Sequence, residues 1–435
     1  MNPNRNKNKN IIPIIVTIAA LLLQGCGNEA KRNGTEQGTT IATTEITENL
    51  QDSEIPERPD NSENLENSEN IENSKNQETD WQSRKLAEMT LEQKVAQMFM
   101  PTLEQLTEGG IVTEADDPVR QAFEQYPVGG IICFGENIID PQQITELTTK
   151  LNEYSMETVE MPLFLGTDEE GGRVTRFANN PNFSVETITD MAEIGAAGDK
   201  ESAYHAGSVI GAYLQQYGFN VDFAPVVDIV TNPDNQVIGR RSFGSDAGLV
   251  SELSSEVVKG LQEQGVYACI KHFPGHGTTS ADTHTGAVYT DRTLEELKEF
   301  ELVPFAEQIK AGISFVMVSH ISAPKVTGNE EPASVSKVMI TDVLRQELGY
   351  EGIVITDAMN MGAITGQYKS GEAAVKAIAA GADIVLMPEN FKEAYQGVLD
   401  AVAEGTLTEQ RIDESVCRIL EIKHKISCRN DTDKL

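Results

Sequence analysis

Eight short apolar or β-branched runs, separated by longer amphipathic stretches, restrict this 435-residue chain to very few folds. They are QMFMP (97–101), GGIICF (129–134), LFLGTD (163–168), VDFAPVVDI (221–229), YACIKHF (267–273), FVMVSH (315–320), GIVITD (352–357) and ADIVLMP (382–388). Between them lie stretches such as TLEELKEFELVPFAEQIKAG, whose Leu, Phe and Val recur every three or four positions until Gly312 closes the pattern of an amphipathic helix. Strands separated by helices need a parallel sheet with right-handed crossovers. Eight such units make a closed (β/α)8 barrel of the TIM type the expected α/β fold. An open doubly wound sheet is the alternative, but no glycine-rich fingerprint follows a first strand to favour it.

The N-terminus reads differently. MNPNRNKNKN is basic, and IIPIIVTIAALLL is an apolar run of 13 residues, too short for a span of roughly 20. Residues 1–25 are therefore expected to be a signal peptide. Its end, Leu23-Gln24-Gly25-Cys26, resembles the bacterial lipobox, which implies a lipidated Cys26 and an extracytoplasmic protein anchored at the cell membrane. Residues 27–80 hold 14 Asp or Glu against four Lys or Arg, among many Asn, Ser and Thr. Such a segment buries too little apolar surface to fold, so 26–80 is expected to be a solvated tether and 81–435 the single folded domain. That domain is itself strongly acidic, which argues against nucleic acid as a partner and leaves neutral sugars open. Cys133, Cys269, Cys417 and Cys428 form no CxxC pair and read as small core residues, with a Cys417–Cys428 disulfide as an option.

Asp168, Lys271, His320 and Asp357 each stand at or near the C-terminal end of a different run. In a barrel those ends converge on one mouth, where catalytic groups sit. The richest segment is KHFPGHGTTSADTHTG (271–286), which holds three of the six histidines. A metal site is not expected there, because Pro274 and Gly275 break any helix that would align His272 with His276. No cofactor is expected either. Glycoside hydrolysis fits better: it needs a carboxylate against the anomeric carbon and a proton donor for the leaving oxygen. Asp357 could be the nucleophile, and His284, steadied by Asp282, the acid/base.

These residues resemble the family 3 glycoside hydrolases, in the β-N-acetylglucosaminidase branch. The resemblance covers about residues 85–425 and rests on KHFPGHG…DTH, TDEEGGRVTRF (167–177), VDFAPVVDI, IGRRSFG (238–244) and ITDAMNMGAI (355–364). It implies Asp357 as nucleophile, His284 as acid/base and Asp282 as its activator. It also implies that Asp168, Arg176, Arg241, Lys271 and His272 bind the sugar or the adjoining substrate. Where the family usually reads GHGDT this chain has Gly277-Thr278-Thr279, and it is expected to lack the second, sandwich-like domain of many members. His276 is expected to be structural. Asp228 has no role legible in the sequence, and His320 either lines the pocket or fills it. The expected activity is that of an exo-acting retaining β-N-acetylglucosaminidase releasing terminal N-acetylglucosamine from peptidoglycan fragments. The alternatives are a β-glycoside phosphorylase and a non-catalytic muropeptide-binding lipoprotein.

Overall fold

The computed structural model describes residues 81–279 and 282–432; the expected signal peptide, Cys26 and the tether to residue 80 lie outside the described residues. All eight apolar runs contain a strand, and two further short strands join them. The ten are β1 (Phe99–Met100), β2 (Gly130–Ile132), β3 (Phe164–Thr167), β4 (Val221–Asp222), β5 (Tyr267–Phe273), β6 (Val288–Tyr289), β7 (Phe315–Val318), β8 (Ile321–Ser322), β9 (Ile353–Thr356) and β10 (Val385–Leu386). Strands β2, β3, β4, β5, β7 and β9 form one parallel sheet, a half-barrel whose order follows the chain. It lacks the order reversal of a doubly wound sheet.

Strand β1 pairs with β10, Phe99 opposite Val385. Backbone hydrogen bonds reach from this pair to both edges of the six. On one side the Gly129 N–H donates to the Phe99 carbonyl at 3.1 Å, and on the other the Thr356 N–H donates to that of Ile384 at 3.0 Å. Helices separate most of the strands, the longest crossovers being Pro141–Val159, Lys200–Gln216 and Ala247–Glu263. Both faces of the strands are therefore covered, and β2, β3, β5, β7 and β9 are buried at every residue, as near-continuous Val, Ile and Phe content requires.

Two local expectations change. The stretch TLEELKEFELVPFAEQIKAG is two helices, Leu294–Glu299 and Val303–Lys310. Pro304 has no N–H to continue the first helix and sits instead in the first turn of the second. VDFAPVVDI is a strand only at its first two residues, because Pro225 cannot donate to the ladder. The segment nevertheless stays beside β5, with the Val227 N–H donating to the Lys271 carbonyl at 2.8 Å.

Of the described cysteines, Cys133 and Cys269 are buried, Cys417 is half-buried and Cys428 exposed. No disulfide joins Cys417 to Cys428, and neither is a fully buried core residue. No helix among the described residues is long and apolar enough to cross a membrane.

Candidate active site

At the C-terminal ends of the strands lies a cleft of about 440 Å³ lined by Asp168, Arg176, Arg241, Lys271, His272, His284 and Asp357, among others. Asp282 stands behind His284. All eight residues expected from the folded part of the sequence therefore meet at one place. His320 is absent from the lining. His276, expected to be structural, is in it.

One wall is a buried ion-pair cluster. The Lys271 ammonium, 2 % exposed, donates to Asp168 Oδ1 at 2.7 Å and meets Glu170 Oε1 at 2.6 Å. Arg241 grips both oxygens of Glu170 at 2.7 Å, the fork geometry of guanidinium on carboxylate. Arg176 reaches Asp168 Oδ2 at 3.4 Å and lies over the Phe134 ring. Burial works against the charge on Glu170, yet Arg241 and Lys271 outweigh it and hold that carboxyl far below the usual range. Burial likewise works against the Lys271 ammonium, and Asp168 and Glu170 more than restore it. With two of three N–H donors so engaged, Lys271 retains one for a ligand hydroxyl.

Glu169, between these two carboxylates in sequence, points elsewhere. It is fully buried and accepts from the Arg176 N–H, the Tyr213 hydroxyl at 2.8 Å and the Thr175 hydroxyl, so it shapes the loop that presents Arg176. Asp228 has a similar supporting task. Its Oδ2 accepts from His272 Nδ1 at 2.6 Å and its Oδ1 from the His276 N–H at 2.6 Å. A carboxylate only accepts, so His272 carries its proton on Nδ1, and Nε2 is left to accept from Arg241 at 3.3 Å.

Asp357 follows β9 directly. Its N–H donates to the Val318 carbonyl at 2.8 Å, and its Oδ1 accepts from the Ala358 N–H at 2.8 Å. Burial alone would raise this carboxyl, but the hydrogen bond from the Ala358 N–H and the Lys271 ammonium help to hold Asp357 below its ordinary value. It is a half-buried anion at neutral pH.

His284 is set apart by exposure, with 67 % of its side chain accessible. Its Nδ1 lies 2.7 Å from Asp282 Oδ1, which also accepts the His284 N–H at 2.9 Å. Burial opposes ionisation of Asp282, but these bonds and the imidazole hold its carboxyl below the ordinary value. Nδ1 therefore carries a proton and Nε2 faces the task of giving or taking one. Thr278, which departs from GHGDT, is half-buried in a segment whose base is held tightly. Asn235 Nδ2 donates to the His276 carbonyl at 2.8 Å, and a Cβ on Gly277 would fall 1.9 Å from the Ile229 oxygen, so only glycine fits there. Among the described residues no group of His, Cys, Asp and Glu could hold a metal ion.

Glu169, Glu170 and Asp228 were not picked out by sequence reasoning. The run DEEGGR offered a signal for the glutamates, since consecutive carboxylates at a strand end rarely all face water.

A half-buried carboxylate, a solvent-facing imidazole and a wall of hydrogen-bonding ion pairs at the ends of parallel strands define the site of an α/β enzyme. Residues 90–422 match the glycosyl hydrolase family 3 N-terminal domain, and the chain belongs to that family. It is 34 % identical over 339 residues to beta-hexosaminidase A of Pseudoalteromonas piscicida, an alignment covering 72 % of this chain and 56 % of that protein. It is 34 % identical to beta-hexosaminidase LpqI of Mycobacterium tuberculosis, covering 74 % and 81 %. Among solved structures it resembles a family 3 β-N-acetylglucosaminidase from Paenibacillus sp. str. FPU-7, with TM-score 0.73, 41 % identity and coverage of 78 % and 63 %. The chain thus spans under two thirds of the first and the last of these relatives.

Proposed function

We propose that the protein is a retaining, exo-acting β-N-acetylglucosaminidase that removes terminal N-acetylglucosamine from peptidoglycan fragments, held outside the cytoplasmic membrane by lipid on Cys26. The observation that carries the chemistry is the placement of anionic Asp357 in the same cleft as the His284–Asp282 pair. The names of the relatives support the hexosaminidase activity, and the lipobox-like Leu23-Gln24-Gly25-Cys26 supports the location. The eight long-range strands are read as one closed barrel, joined through β1 and β10, in a single domain from residue 81.

The reaction proceeds in two displacements. Asp357 attacks the anomeric carbon while His284 Nε2–H protonates the departing glycosidic oxygen, giving a glycosyl-aspartate. His284, now deprotonated at Nε2, takes a proton from water as that water attacks the anomeric carbon and releases Asp357. Asp282 steadies the imidazolium before the first step and after the second, and holds the Nδ1–H tautomer between them. Lys271, Arg241, Arg176, Asp168 and His272 present donors and acceptors to the sugar hydroxyls and the acetamido group.

A nitrophenyl β-N-acetylglucosaminide separates the roles, because its leaving group departs without protonation. With His284→Ala the first displacement proceeds and the second loses its base, worth typically about 10²–10⁴-fold, so phenolate appears as a burst near one equivalent per enzyme. Asp282→Asn gives a milder version. Asp357→Asn gives neither burst nor appreciable turnover. Rapid-mixing absorbance and intact mass spectrometry, which looks for an added N-acetylhexosamine, read all three; ordinary turnover by the His284 variant would remove it from the reaction. Added phosphate distinguishes hydrolysis from phosphorolysis by whether the product is free sugar or sugar phosphate, and absence of any turnover would leave a muropeptide-binding protein.

A further inference from the structure

His320 follows β7 by two residues, is fully buried and takes no part in lining the cleft. Both ring nitrogens have partners. Nε2 lies 2.9 Å from the Ala358 carbonyl oxygen and Nδ1 lies 2.7 Å from the Ser334 hydroxyl. A carbonyl can only accept, so the proton sits on Nε2, and Nδ1 accepts from Ser334. The serine is itself fixed, its N–H donating to the Ser319 carbonyl at 3.0 Å.

The residue that His320 holds is the one after Asp357. The Ala358–Met359 peptide is clamped on both sides, its carbonyl by His320 and its N–H by the Leu386 carbonyl at 2.9 Å. The N–H of the preceding peptide, that of Ala358, donates to Asp357 Oδ1 at 2.8 Å. Oδ1 is thereby engaged, and Oδ2 is the oxygen available to a ligand. Three strand ends meet in this arrangement: His320 and Ser319 from β7, Asp357 and Ala358 from β9, Leu386 from β10.

We propose that His320 is a positioning residue: as a neutral imidazole donating to the Ala358 carbonyl, it fixes the turn that aims the Asp357 carboxylate at the anomeric carbon. This rests on the reading of Asp357 as nucleophile. The neutral form is the one the surroundings favour. The charged and titratable groups that act on the ring are Asp357 from the end of β9, His284 from the loop after β5 and His272 from β5 itself; burial lowers the imidazole below its ordinary value despite the pull of Asp357. A neutral His320 keeps one donor and one acceptor through the whole cycle, so the turn does not change its hydrogen bonding when Asp357 becomes an ester.

The test uses His320→Leu, His320→Gln, Ser334→Ala and, as reference, Asp357→Asn, with nitrophenyl and unactivated β-N-acetylglucosaminides. A misplacement of about 1 Å costs on the order of 10²-fold, so His320→Leu should lower kcat by roughly that factor with KM little changed. The loss should be equal for good and poor leaving groups, since the nucleophile and not the acid is displaced. His320→Gln, whose carboxamide N–H can reach the same carbonyl, should recover about tenfold or more of it. Without the clamp the Ala358 N–H supports the carboxylate less, so the acid limb of kcat/KM should move to higher pH in His320→Leu and, less far, in Ser334→Ala. If the leucine variant does not fold, the glutamine and alanine variants carry the same pH and kcat readouts. Wild-type kcat and an unmoved acid limb, beside an inactive Asp357→Asn, would overturn the positioning role and leave the nucleophile standing. Turnover by Asp357→Asn would instead remove the reading beneath it.

Discussion

Lys271 shows how a single side chain carries both binding and stability. Its position at the end of YACIKHF and its match to KHFPGHG made it legible as a sugar ligand, and on that reading alone its removal should spare the fold. The ammonium is instead sealed between Asp168 and Glu170. Breaking one partner out of a buried pair costs about 3–5 kcal/mol. Lys271→Ala should therefore lower the denaturation midpoint as well as kcat/KM, whereas a ligand at the surface would change only the second. The pH dependence gives an independent check. Glu170 has a folded pKa far below its unfolded value of about 4.3, so its contribution is full above that value and is lost as pH falls, because the unfolded chain then binds more protons. With Lys271 gone that depression shrinks, and the acid branch of the stability profile should become shallower between about pH 5 and pH 2. A variant with wild-type midpoint and an unchanged acid branch would show that Arg241 alone satisfies Glu170. Neither glutamate of DEEGGR could be sorted in advance, since sequence does not say which of three adjacent carboxylates turns inward.

At the scale of elements, the proton-transfer segment is tied to the strand that bears Asp357. The Gly362 N–H donates to the His284 carbonyl at 3.2 Å and the Ala363 N–H to that of Thr283 at 3.1 Å, so the short helix Gly362–Thr365 supports the base of the dyad. A Cβ on Gly362 would stand 2.7 Å from the His284 oxygen. Gly362→Ala should thus push His284 out of register and lower turnover of unactivated substrates by roughly 10–10²-fold. Nitrophenolate release in the first turnover should stay near wild type, because that step needs no acid. Equal losses in both would mean that Asp357 had moved too. Downstream of His284, β6 pairs with β8 through Val288 and Ile321, and the Thr290 N–H donates to the Ser322 carbonyl at 2.9 Å. These features explain the limits of the sequence reading. The eight long-range strands were legible because burial on both faces demands continuous apolar runs. The two-residue strands β6 and β8 carry no periodicity to detect, and the turn at Pro304 had to be read against an otherwise helical pattern. Asp228 stayed unassigned because Pro225 ends β4 early, and its partner His272 is remote in sequence.

Across the whole molecule the two ends of the strands do different work. The C-terminal ends gather nearly every buried charge of the cleft, while the opposite end is closed by aromatic rings: Phe315 lies edge-on to Phe164 at 5.4 Å and to Tyr267 at 6.1 Å. Beside Asp383, buried ahead of β10 and paired with Arg345 and Arg418, a further charge-bearing group among the described residues interrupts that apolar closure. Lys423, on the C-terminal helix Glu409–Thr432, is fully buried, its Nζ 5.0 Å from the Phe164 ring centroid and without a hydrogen-bond partner among the described residues. Burial pulls its pKa down to about 7. An unfolded lysine titrates near 10.4, so between about pH 7 and pH 10.4 the unfolded chain binds a proton that the folded one does not, and this group makes stability rise with pH across that window. Below about pH 7 the folded state must carry the buried charge, at a cost of several kcal/mol that the ring face offsets only in part. Lys423→Met keeps the stem and removes the amine. The variant should be more stable than wild type at pH 6, with the gain shrinking steadily as pH rises and nearly gone by about pH 10.5. Its kcat/KM should not change, because Lys423 stands at the far end from Asp357. Urea midpoints at pH 6, 8 and 10 measure the effect; a gain that does not depend on pH would show that packing, and not the proton, limits stability at this end of the fold.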